Sequence, residues 1–285
     1  MAGSVLYDAP GPRTIARHRL YTILTAVGVV AAVVGILLFL QSEGELAYSK
    51  WEQFVTPKYV EVILVDGLLK TLQMAFTSVI FAVVFGVVFG VGKLSDHAAV
   101  RWLCTLVVEF FRAVPVLLLM VFIFFTWGVG DGFGPYWSVV FALTLYNGSV
   151  LAEVFRAGVL AVPKGQGEAA YAIGMRKTQV MNLVLLPQAV KIMLPAIISQ
   201  CVVALKDTSL GMYIVAPGLT YVGKLMWTEF SGTHLQTAIV LALLYVSVNL
   251  ILTYIATLIQ KRFVGEHKPL EVGMTTLTAE ASTTP

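Results

Sequence analysis

Charge is scarce in this sequence. Asp, Glu, Lys and Arg make up 12% of its 285 residues, about half the ~25% share of a soluble globular chain. Hydrophobic residues make up 58% and the mean hydropathy is +0.84, so the chain reads as an integral membrane protein. At ~20 residues per spanning helix there is room for several spans, but not for a large soluble catalytic domain as well. The net charge of +3 is small, and no nucleic-acid partner is expected. Cysteine is nearly absent: Cys104 and Cys201 sit in apolar runs with no CxxC or Cys/His spacing, so they read as packing residues without a disulfide or metal role. No nucleophile–base or metal-ligand spacing appears, which argues against a membrane-embedded enzyme.

The long uncharged runs are Leu20–Leu40, Thr71–Gly92, Ala113–Gly130, Gly132–Ala152 and Leu235–Gln260, each measured against ~30 Å of hydrocarbon. The third is extended back to Val100 and then contains Glu109 and Arg112. Ile192–Leu205 alone is short, but apolar character resumes over Leu210–Val222, which gives a sixth span carrying Lys206 and Asp207. Orientation follows from lysine and arginine in the short loops. Arg13, Arg17 and Arg19, then Lys93 and Arg101, then Lys164, Arg176 and Lys177, then Lys261 and Arg262 all fall on one side of a six-span chain. The opposite loops are poorer in basic residues, so both termini are expected in the cytoplasm. Leu20–Leu40 exceeds a usual signal-peptide core and no clean A-x-A site follows, so it reads as an uncleaved anchor. The tail is polar, threonine-rich and aperiodic, and is expected to be disordered.

Between the fourth and fifth spans lies "VPKGQGEAAYAIGMRKTQVM", Val162–Met181. Pro163 suits a helix start, Glu168 an early turn where the macrodipole favours an acid, and Gly174 a left-handed stop. A helix of two to three turns follows. Ala169, Ala170, Ala172 and Ile173 would give it a small-residue surface that another protein could approach closely, flanked by Lys164, Arg176 and Lys177. An interfacial helix on the lipid headgroups fits the same pattern, and helix physics leaves the two readings open.

The stretch "EAAYAIG", Glu168–Gly174, with Leu194 and Pro195 downstream, resembles the EAA loop of ABC-importer permeases. "FRAVP" (Phe111–Pro115), "EVFRAGVLAVPKGQGEAA" (Glu153–Ala170), "LPQAVKIMLPAI" (Leu186–Ile197) and "LKDTSL" (Leu205–Leu210) occur in the order of the polar amino-acid uptake branch. The similarity runs from about Asp66 to Arg262 and is greatest to actinobacterial glutamate-uptake permeases. It implies an all-α integral membrane protein of about six transmembrane helices, with a type I, MetI-like permease core. The implied division is a cytoplasmic segment 1–19, an extra first transmembrane helix 20–41, a permease domain 66–262 with a coupling helix at about 163–176, and a disordered cytoplasmic tail 263–285. The resemblance makes Lys164, Gly165, Glu168, Ala169, Ala170, Gly174 and Arg176 the elements that couple to an ATPase subunit. It further implies an ATPase dimer that binds ATP and Mg, a second, related but different permease chain, and an extracytoplasmic amino-acid-binding protein, in the lipid of a bacterial inner or plasma membrane. No cofactor is expected on this chain itself.

Two letter matches are discounted. "GLTYVGKL", Gly218–Leu225, fits GxxxxGK, but Leu225 replaces the Ser/Thr that would hold magnesium. "NGS", Asn147–Ser149, fits a glycosylation acceptor but lies in mid-span. "GVVFG", Gly86–Gly90, is a small-xxx-small pair for close helix packing inside the subunit or at its partner.

Polar groups within spans are costly and are the default site candidates. Glu109 with Arg112 and Glu153 with Arg156 stand at i,i+3, so each pair shares a helix face and can neutralise itself. Arg112 would lie ~18 Å into the third span, near mid-membrane, and Pro115 frees the Phe111 carbonyl beside it, so a cation and a broken helix are expected to coincide there. Lys206 and Asp207 point about 100° apart and need separate partners. With Asn147, Thr208 and Ser209 they complete a candidate substrate pathway of Arg112, Asn147, Glu153, Arg156, Lys206, Asp207, Thr208 and Ser209. An ion-coupled secondary transporter would show similar midplane charges and broken helices, but it needs no ATPase-docking loop.

Overall fold

The structure is a computed structural model and describes residues 12–264. The tail segment from Gly265 and the N-terminal residues before Pro12 lie outside the described residues. The chain falls into two compact units, 12–60 with 226–240, and 61–225 with 241–264. No strand occurs among the described residues. A chain this apolar must satisfy its backbone internally, and helices do so segment by segment.

In the first unit, α1 spans Pro12–Ser42 and leaves its side chains exposed from Arg13 to Phe39. A helix apolar on every side has no preferred inward face, which is the pattern of a membrane span. The following loop is tied down by Glu45. Its carboxylate accepts from Lys50 Nζ at 2.8 Å and from Gln236 Nε2 at 2.9 Å, and its carbonyl accepts from Trp51 Nε1 at 3.2 Å. These bonds hold Glu45 below the usual carboxylate range, Lys50 contributing most and Gln236 next.

The second unit is built on α2, Pro57–Lys93, and α5, Gly134–Leu160. They pack closely because Gly86 and Gly90 have no Cβ: one built at Gly86 would lie 2.7 Å from Leu151 Cβ, and one at Gly90 2.9 Å from Phe155 Cβ. The small-xxx-small pair therefore works inside the subunit. Met74, Met120, Ile123, Val139, Leu143 and Ile214 form the main buried cluster, and Phe155, Val159, Ala189 and Met193 belong to a second.

Two spans differ from expectation. The third is not one helix. Ala98–Ala113 (α3) and Val116–Gly128 (α4) meet at 99°. Pro115 forces its predecessor out of the helical region, and Val114 is accordingly extended at φ −81°, ψ 127°. The fifth span lies earlier than Ile192–Val222. It runs as α7 from Lys177 to Ile214, with a closing 3-10 segment at Thr208–Ile214. Val215 then takes a left-handed φ of 60°, and Leu219–Glu229 forms a separate α8. Lys191 had masked the true start: a single snorkelling lysine interrupts an uncharged window without ending a helix. The last span is α9, His234–Val264. Among the described residues, five helices are long and apolar enough to cross a membrane, six when the bent pair is one span.

Candidate functional site

The polar helix between α5 and α7 is α6, Lys164–Ala172, nine residues with Pro163 as its N-cap. Gly174 stands at φ +83°. Met175 N donates to Ala170 O at 3.2 Å and Gly174 N to Tyr171 O at 2.9 Å, the two bonds of a Schellman stop. Two expectations about α6 are corrected. Glu168 is its fifth residue, and its first turn holds no acid. Ala170 does not belong to an outward surface: it is 5% exposed, turned into the chain where α6 packs on the π-helical segment 180–185 of α7. The outward face consists of Ala169, Tyr171, Ala172 and Ile173, with Ile173 79% exposed. Lys164, Gly165, Glu168, Gly174 and Arg176 are exposed beside it. The start of α7 is held by Lys177, which pairs with Asp96 of the α2–α3 loop. That contact keeps the Asp96 carboxyl below its usual range.

Just before α6 the structure gathers a charge cluster from three helices, organised by a residue that sequence reasoning had assigned to a loop. Lys93 is the last residue of α2 and is buried. Its ammonium bonds Glu153 of α5 and, at 3.3 Å, Glu109 of α3. Arg156 Nε reaches the other oxygen of Glu153 at 3.0 Å, and Arg112 lies 3.4 Å from Glu109. Glu153 and Arg156 thus neutralise each other in part, as their spacing predicts, but Lys93 is the common partner of both acids. Arg112 stands in the last turn of α3 beside the 99° bend, so the cation and the helix break coincide. The missed signal is periodicity: Lys93 lies seven residues after Gly86 and so shares the face that α2 turns to α5.

The remaining pathway candidates separate. Asn147 is 1% exposed, and its Oδ1 accepts from Gln200 Nε2 of α7. Thr208 is buried and donates to Leu205 O at 2.6 Å. Asp207 is half-buried. Lys206 and Ser209 line a cavity of about 520 Å³ with residues of α8 and α9. The eight candidates therefore occupy several places rather than one site.

Gly218–Leu225 does not cradle a phosphate. The Leu219 N–H already donates to Thr71 Oγ1 at 2.8 Å, and Gly223 packs on α9, where an added Cβ would lie 2.3 Å from Leu241 Cδ1.

Residues 82–265 match the family described as binding-protein-dependent transport system inner membrane component. The chain is 40% identical over 227 residues to the glutamate transport system permease protein GluD of Corynebacterium glutamicum, covering 78% of this chain and 83% of that one. It is 33% identical over 202 residues to the probable glutamine ABC transporter permease protein GlnP of Bacillus subtilis, covering 70% and 93%. Among solved structures it resembles an amino acid ABC transporter with histidines, with a TM-score of 0.66 and 27% identity over 72% of this chain and 95% of that one.

Proposed function

The chain belongs to the family of binding-protein-dependent transport system inner membrane components, and from that premise we propose that it is a permease subunit of an ATP-driven amino-acid importer whose substrate is L-glutamate. α6 is its contact with an ATPase subunit, and ATP and Mg are bound there and not on this chain. A dimer of that ATPase, a related second permease and an extracytoplasmic binding protein complete the assembly. Both termini face the cytoplasm, as the lysine and arginine bias requires.

The observation that carries this reading is α6 itself. Its inner face is anchored through Ala170, its end is closed by Gly174, and its outer face presents Tyr171 and Ile173, 51% and 79% exposed. An exposed aliphatic–aromatic pair on a rigid, capped helix suits a protein groove better than bulk water. An ion-coupled secondary transporter has no use for such a helix. The glutamate assignment rests on the 40% identity to a glutamate permease over most of both chains.

Ile173→Asp tests the contact without disturbing the interior, because Ile173 faces outward. The variant should reach the membrane at normal levels, lose glutamate uptake and lose co-purification of the ATPase. Normal uptake with normal co-purification would remove α6 from the coupling role.

A further inference from the structure

The helix α3 distributes its side chains unlike α1. Trp102, Leu106 and Phe110 stand four residues apart and are each more than half exposed, which makes one apolar stripe. Arg101 and Arg112 are also exposed, and eleven residues of helix between them leave them pointing the same way to within roughly 20°. Phe110 and Phe111 lie roughly 140° around the helix from that cationic side. One apolar and one cationic side is the pattern of a helix lying at a membrane interface.

Its direction is fixed by its neighbours. α3 and α4 meet at 99°, so only one of them can run along the membrane normal. α4 carries no charged residue, whereas α3 carries Arg101, Glu109 and Arg112, so α4 is the one that enters the hydrocarbon. Both ends of α3 stay beside the end of α2 that the charge bias assigns to the cytoplasm. Ala98 follows Lys93 after a four-residue loop, and Glu109, the twelfth residue of α3, is 3.3 Å from the Lys93 ammonium. An α3 that descended along the normal would carry Glu109 roughly 16 Å below Ala98, away from a lysine that is the last residue of α2.

The bend leaves a hollow of about 470 Å³ between α3 and α4. Phe110, Phe111 and Val114 wall it on one side, Leu118 and Phe122 on the other, and α5 contributes Leu145. Every lining residue is apolar or aromatic, and Phe110, Leu118 and Phe122 are more than half exposed, so the hollow opens at the surface. Its volume is that of a small-molecule site. An apolar hollow at membrane depth does not hold water, and left empty it would forfeit the dispersion contacts of its walls. Apolar walls on the side of α4 and cations on the cytoplasmic side follow the order of a lipid leaflet, tails below phosphates. Arg101 spends one nitrogen on Ser95 O at 2.9 Å and Arg112 one on Glu109 at 3.4 Å, so each keeps donors for a phosphate. A protein helix packed in the hollow would match its walls and leave both guanidiniums without an anion.

We propose that α3 lies in the plane of the cytoplasmic leaflet as a phospholipid-binding element: an acyl chain fills the hollow beneath it, and anionic phosphates are held by Arg101 and Arg112 on its upper side. This seat is the same whatever solute the chain moves. An α3 held in this way is joined through Glu109, Lys93 and Glu153 to α5, and α5 leads into α6.

Spin labels on Trp102→Cys, Leu106→Cys and Phe110→Cys, each in the full chain freed of Cys104 and Cys201, test the seat. The purified complex is reconstituted in vesicles of phosphatidylcholine and phosphatidylglycerol, and depth is read from oxygen against nickel-chelate accessibility. The three labels should sit at one depth, just below the phosphates. A steady descent from 102 to 110, roughly 12 Å for a helix along the normal, would overturn the in-plane seat. A label on Leu118→Cys should be reached by oxygen; protection there would show that another protein fills the hollow and would overturn the acyl-chain assignment. Phosphatidylglycerol retained over phosphatidylcholine after detergent extraction reports the phosphate contact. Arg101→Gln and Arg112→Gln should each lower that enrichment about fivefold, and Glu109 keeps Lys93 when Arg112 is replaced. Unchanged enrichment in the double variant would overturn the phosphate contact.

Discussion

Lys93 illustrates how one side chain can decide what its neighbours mean. Spacing alone makes Glu109 with Arg112 and Glu153 with Arg156 two self-contained pairs, each an ordinary i,i+3 contact worth a few tenths of a kcal/mol. With a buried ammonium between the two acids, the pairs become one cluster across three helices. Removing one member of a buried ion pair strands the other, at about 3–5 kcal/mol when no other partner remains. Glu153 keeps Arg156 at 3.0 Å, so Lys93→Met should cost less than that range and still lower the melting temperature of the purified complex. Glu153→Gln should cost more than Lys93→Met, because it leaves the buried Lys93 only the 3.3 Å contact with Glu109 and takes the partner from Arg156 as well. A single variant that melts as wild type would show that the cluster contributes nothing. The same geometry changes what Arg112 can report. Glu109 retains Lys93 when Arg112 is removed, so a transport defect in Arg112→Ala would not arise from a stranded acid.

At the scale of elements, α2 and α5 are held at a distance that only glycine permits. The added Cβ at Gly86 would meet Leu151 Cβ at 2.7 Å and the Leu151 backbone carbon at 3.1 Å. Gly86→Ala should therefore force the helices apart, with an overpacking cost of about 1–3 kcal/mol, and lower the amount of folded chain recovered from the membrane. Leu151→Ala should not rescue it, because alanine keeps the Cβ that collides; rescue by that variant would show that the contact is looser than described. The bent pair α3–α4 shows the opposite case, where a sequence signal was read too weakly. Pro115 was expected to break the helix within one span, whereas Val114 leaves the helical region altogether and the two arms meet at 99°.

For the whole molecule, the charge bias predicts a six-span topology with both termini in the cytoplasm. Gly165 and Glu52 are both exposed and lie in loops that the bias assigns to opposite sides. Single cysteines at these positions, in a chain freed of Cys104 and Cys201, should be labelled by an impermeant thiol reagent from opposite faces. Labelling from one face would remove a span. The bent pair must count as one crossing for this result, so the experiment also decides whether α3–α4 traverses the bilayer or turns back within it.

What the sequence determined by itself was the solvent, the kind of element and the family. Scarce charge and long apolar runs require helices in lipid, and the motifs from Glu153 to Ala170 and from Leu205 to Leu210 carry the family in letters alone. Gly174 was legible because its left-handed stop is a local requirement of the backbone. Only the tertiary structure decided which faces of those helices meet. Ala170 looks like its neighbours Ala169 and Ala172 in sequence, yet of the three it alone turns inward, because packing of α6 on the π-helical start of α7 selects one face of a helix that has no strong amphipathic pattern. Lys93 reads as a loop cation until α3 and α5 place acids around it. Lys206 and Asn249, 43 positions apart, line one cavity, the first from α7 and the second from α9. Such contacts are set by the path of the chain in space, which residue spacing along one helix cannot express.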